Sequence, residues 1–93
     1  ALGWYNLGLM QRRRGDIAAA LEAYSRAMEL DPDNAACHQN RAVALLLGGD
    51  IEGARAAFRT AITLLQTQGR PAEAQALRSK AQGIVKLDLE PIA

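Results

Sequence analysis

Apolar residues recur at spacings of three and four along most of the chain. Four short polar clusters interrupt them: Gly15-Asp16, Asp31-Pro32-Asp33-Asn34, Gly48-Gly49-Asp50, and Thr67-Gln68-Gly69-Arg70-Pro71. That pattern predicts about five helices and an all-α chain. The first runs over 2–14, with Leu2, Trp4, Leu7, Gly8 and Met10 supplying its packing faces and Gly15 as a left-handed stop. The second runs over 17–30 behind Asp16 as N-cap, with Ala20, Leu21, Tyr24, Ala27 and Met28 inward. Pro32 ends it, because proline disfavours helix in the residue before it. The third is read over 35–47. The fourth runs over 51–66, capped by Asp50, with Ala54, Phe58, Ala61, Ile62 and Leu65 inward; without a following proline it has room to run further. The fifth runs over 71–86, with Pro71 in its first turn and a stripe of Ala74, Leu77, Ala81 and Ile84. A frayed tail is expected after it.

The same residues return at a fixed interval. Thirty-four positions on, Gly15-Asp16-Ile17 becomes Gly49-Asp50-Ile51, Ala20 becomes Ala54, and Tyr24 becomes Phe58. Ala27 becomes Ala61, Asn6 becomes Asn40, and the small residue Gly8 becomes Ala42. A period of this length in helical hairpins marks a repeat architecture. Trp4, Leu7, Gly8, Ala20, Tyr24, Ala27 and Pro32 together resemble the tetratricopeptide repeat (TPR) family. The aromatic usual at Gln11 is missing. In the second copy His38, Arg41 and Gln66 replace the usual Trp, Leu and Pro.

The resemblance implies an α-α superhelix of antiparallel helix pairs, a TPR solenoid. Its units would be repeat 1 over 1–34, repeat 2 over 35–68, a capping helix over 69–87 and a tail over 88–93. The fifth helix carries no Trp, Leu-Gly pair or Tyr in register, so it reads as a cap and not as a third repeat. Two repeats and a cap lie at the margin of what such stacks need. The chain is therefore expected to be a piece of a longer protein, or to self-associate through an open N-terminal face bearing Gly3 and Met10.

In the TPR family the first helix of each pair lines a concave groove that binds protein segments. Carried over by register, the groove residues here are Tyr5, Asn6, Leu9 and Arg12, then Gln39, Asn40, Val43 and Leu46, with Leu2, Arg13 and Ala36 beside them. The expected function is a protein–protein interaction module, a scaffold or adaptor, that holds a peptide or helix with apolar anchors and an acidic residue at Arg12. The alternatives are a structural or self-associating segment of a longer TPR protein, or the non-catalytic part of an enzyme. Family members that clamp chaperone C-terminal tails use Lys and Asn where this chain has Tyr5, Leu9 and Val43, so a chaperone tail is not the expected partner.

Composition narrows the partners further. A formal net charge of +1 argues against nucleic acid, and Arg12-Arg13-Arg14 reads as a solvated helix end complementing the helix dipole. No apolar run is long enough for membrane insertion. One Cys and one His, adjacent at Cys37 and His38, form neither a nucleophile–base pair nor a metal-ligand set. Both are expected to be packed, His38 in place of the usual Trp. No catalytic residue, metal or cofactor is assigned. A cytoplasmic location fits the single cysteine.

Overall fold

The computed structural model describes residues 2–85. Its five helices are α1 Leu2–Arg13, α2 Ile17–Leu30, α3 Ala35–Leu47, α4 Ile51–Thr67 and α5 Pro71–Ile84. They pack in chain order: α1 on α2, α2 on α3, α3 on α4 and α4 on α5, with α1 also touching α3. The Cα atoms fill 37 × 26 × 16 Å, and the short dimension is that of two helix layers.

Three turns share one design. Gly15, Gly49 and Gly69 take φ of 83°, 89° and 72°, a left-handed conformation that side chains resist. The following amide then reaches back five residues: Asp16 to the Gln11 carbonyl, Asp50 to Leu45 and Arg70 to Leu65, each at 2.9 Å. These bonds satisfy carbonyls that the ending helix leaves open. Asp16 and Asp50 also cap the next helix, their carboxylates accepting from Ala19 N at 3.2 Å and Gly53 N at 2.8 Å. Arg70 provides no such bond to α5.

The core follows the small-and-large pattern. Tyr24 and Phe58 are fully buried, each among alanines. Gly8 lets α1 close onto α2, since a Cβ there would lie 2.6 Å from Tyr24 Cε1. One buried cluster joins α2 to α3 through Ala20, Tyr24, Ala27, Cys37 and Ala44. A larger one centres on Phe58 and runs from α3 into α5. Leu21 packs against both.

Several expectations need adjustment. α1 ends one residue early, and α4 continues one residue to Thr67, whose hydroxyl bonds back to the Thr63 carbonyl at 2.9 Å. α5 stops at Ile84, not Lys86, because Val85 turns extended at φ −134° and ψ 100°. That break swaps the last inward position: Ile84 is exposed and Val85 is buried. Trp4, Leu7 and Met10, assigned to packing faces, remain 41%, 38% and 48% exposed. Lys86, the tail and the Leu2 side chain lie outside the described residues. No helix among the described residues is long and apolar enough to cross a membrane.

Candidate functional site: the α1–α3 face

α1 touches α3 as well as α2, onto which it closes at Gly8. The face that α1 shares with α3 carries a small hydrogen-bonded cluster. Asn40 Nδ2 donates to Tyr5 Oη and to the Ala36 carbonyl, both at 2.9 Å. Asn40 Oδ1 accepts from Arg12 Nη2 at 3.4 Å. The Tyr5 ring leans on Tyr24 with centroids 6.3 Å apart. Burial pushes the Tyr5 phenol up, and Tyr24 and Cys37 nearby add to the rise; Arg12 and the Asn40 bond oppose it.

The eight residues assigned by register therefore divide. Tyr5 and Leu9 pack against the Tyr24 cluster, while Val43 and Leu46 pack against the Phe58 cluster. All four are half-buried. Arg12 and Asn40 bridge the two helices. Gln39 is half-buried and faces α5 across a cleft. Asn6 is exposed on α1 and has no hydrogen bond to the cluster among the described residues, unlike Asn40. Arg13 and Ala36 are exposed.

Cys37 and His38 sit behind this face. Cys37 is fully buried, and its Sγ contacts the Tyr24 carbonyl at 3.7 Å. Burial raises its thiol pKa; Arg41 works against that rise and Asp31 adds to it. His38 Nε2 donates to the Pro32 carbonyl at 2.9 Å, which anchors the α2–α3 turn to α3 from the place the family gives to Trp.

Sequence reasoning missed the contribution of α5. Glu73, Ala76, Leu77 and Lys80 line the cleft that α5 forms with Ala35, Ala36 and Gln39 of α3. Their spacing of three and four was visible as a helix face, but its direction depends on the α4–α5 turn, which departs from the 34-residue period.

Comparison with known proteins gives the family. A profile described as "Tetratricopeptide repeat" matches residues 1–34, and a second with the same description matches residues 23–76. The chain is 38% identical over 72 residues to Tetratricopeptide repeat protein 36 of Mus musculus, covering 77% of this chain and 39% of that protein. Against the Homo sapiens protein of the same name it is 38% identical over 65 residues, or 70% and 34%. Against the TPR repeat-containing thioredoxin TTL4 of Arabidopsis thaliana it is 45% identical over 47 residues, or 50% of this chain and 7% of that protein. The match to these relatives thus spans less than half of their length.

Proposed function

The chain belongs to the tetratricopeptide repeat family, whose domains are generally protein-interaction modules, and from that premise we propose that the α1–α3 face is a groove for a segment of a partner protein. Arg12 carries this reading. Its guanidinium is half-buried on the face, touches the Asn40 amide, and has no carboxylate partner among the described residues. A half-buried cation without a counter-charge gains from an acidic group that arrives with a ligand. Leu9, Val43 and Leu46 offer apolar contact around it, and Asn6 an exposed amide. The role is that of a scaffold or adaptor.

The test must avoid the core. Truncating Tyr5 and Leu9 together would remove support from Tyr24 as well as groove surface. Charge reversal at Arg12 is cleaner. Peptides selected on phage against the wild-type chain should carry Asp or Glu beside a large apolar residue. Arg12→Glu should weaken them by about tenfold with an unchanged circular dichroism spectrum. Equal affinity for the variant would remove Arg12 from the site.

A second reading has its own observation. Trp4, Leu7 and Met10 form an exposed apolar row on α1, with the Arg26 guanidinium 5.8 Å from the Trp4 ring. Such a row suits self-association. Light scattering across a wide concentration range decides it: a mass that doubles, and reverts in Trp4→Ser, supports the dimer, and a constant monomer mass removes it.

A further inference from the structure

α5 packs on α4 and makes no close backbone approach to α3, although α1 does. Between α3 and α5 lies an open cleft of about 510 Å³. That volume falls in the range typical of binding pockets. Its floor is apolar and buried, made by Ala35, Leu65 and Leu77. At its exposed edge Gln68 Nε2 donates to the Asp33 carbonyl at 2.6 Å, which ties the end of α4 to the α2–α3 turn.

The charges around this floor are uneven. On the α5 side Arg70 and Glu73 form an ion pair with each other. On the opposite lip the turn presents Asp31 and Asp33, both exposed, and among the described residues no basic side chain pairs with either carboxylate. Lys80 lies seven residues beyond Glu73, about 10 Å further along α5. The lip next to the buried floor therefore carries two carboxylates with no ion-pair partner among the described residues, while Arg70, already paired with Glu73, donates to Gln68 Oε1 beside it at 3.4 Å.

Resting on the groove reading above, we propose that this cleft receives a Lys or Arg side chain of the bound protein segment. Its aliphatic stem lies along Ala36 and Leu77, and its cation sits between Asp31 and Asp33. Long basic side chains suit such a place, since they bury the stem and keep the head in water. A carboxylate would meet like charge there. An apolar side chain would fill the floor without answering the two Asp residues. The partner segment then carries opposite charges for the two parts of the surface, acidic at Arg12 and basic at the cleft.

The test uses three capped heptapeptides of Ala, Ser and Leu that differ only in a central Arg, Gln or Glu. Each is titrated into the ¹⁵N-labelled chain. The Arg peptide is expected to bind tightest and to shift the amides of Ala36 and Leu77. Asp31→Asn with Asp33→Asn should weaken it about fivefold and leave the Gln peptide unchanged. Both substitutions spare the Asp33 carbonyl and the Asn34 cap, so the fold is kept. Arg and Glu peptides binding the cleft equally, or an unaffected double variant, overturns the proposal. Shifts confined to Leu9 and Val43 also overturn it and leave the groove reading standing. No shift on either surface with any peptide overturns both.

Discussion

Tyr24 is fully buried, and its hydroxyl has no hydrogen-bond partner among the described residues. A buried unpaired hydroxyl costs free energy that an apolar group does not. Phe58, 34 residues on, is buried as completely without a hydroxyl, so the ring alone suffices. Tyr24→Phe is expected to stabilise the chain by about 1 kcal/mol, read from urea unfolding; a loss of stability would mean the hydroxyl is paired after all. Two neighbours give an alkaline limit. Cys37 and Tyr5 both have raised pKa values, chiefly from burial. A raised folded-state pKa adds stability that is complete below the unfolded pKa and is lost as pH climbs through the folded one. Stability should hold at neutral pH and fall from about pH 8.5 upward, first through Cys37 and then through Tyr5. Urea midpoints in Cys37→Ala should decline less between pH 8 and 10 than in the wild type, and parallel declines would discard the Cys37 contribution.

Among α2 to α5, only α5 starts without a side-chain cap. α2 and α4 begin behind an Asp that caps them, whereas α5 begins behind Arg70 with no side-chain bond to its first turn. Pro71 and Glu73 already stand where a capping box wants them. Arg70→Ser would complete a Ser-x-x-Glu box at the cost of one exposed ion pair. A gain of about 0.5–1 kcal/mol is expected, with slower hydrogen exchange in the first turn of α5; faster exchange there would show that the Arg70–Glu73 pair matters more. The helices were legible in the sequence because Gly-Asp and Pro punctuate them. The α5 end was not, since nothing before Val85 breaks the helical spacing and Ile84 continues the stripe. The candidate site was legible only as a list. Register put Tyr5, Arg12 and Asn40 on one face, but their mutual bonds depend on how closely α1 and α3 approach. The α3–α5 cleft was hidden for a similar reason, as the 34-residue period stops before α5.

For the whole molecule, Leu21 holds the key position. It is the partly buried residue that packs against both core clusters, so it couples the Tyr24 cluster to the Phe58 cluster. In a linear repeat array, cooperativity is set by such interfaces. Leu21→Ala should cost about 2 kcal/mol, near the low end for a core Leu, and broaden the urea transition. A sharp transition shifted as a unit would show that other contacts suffice. The order of packing has a mechanical side as well. Among the described residues, and apart from the α1–α3 contact, the backbone of each helix comes close only to its neighbours in the chain, and that of α5 only to α4. Pulled from Leu2 and Val85, the described helices offer α5 no close backbone approach across the load except that of α4. The described stack would yield first at α5, one helix at a time, like tape lifted from an edge.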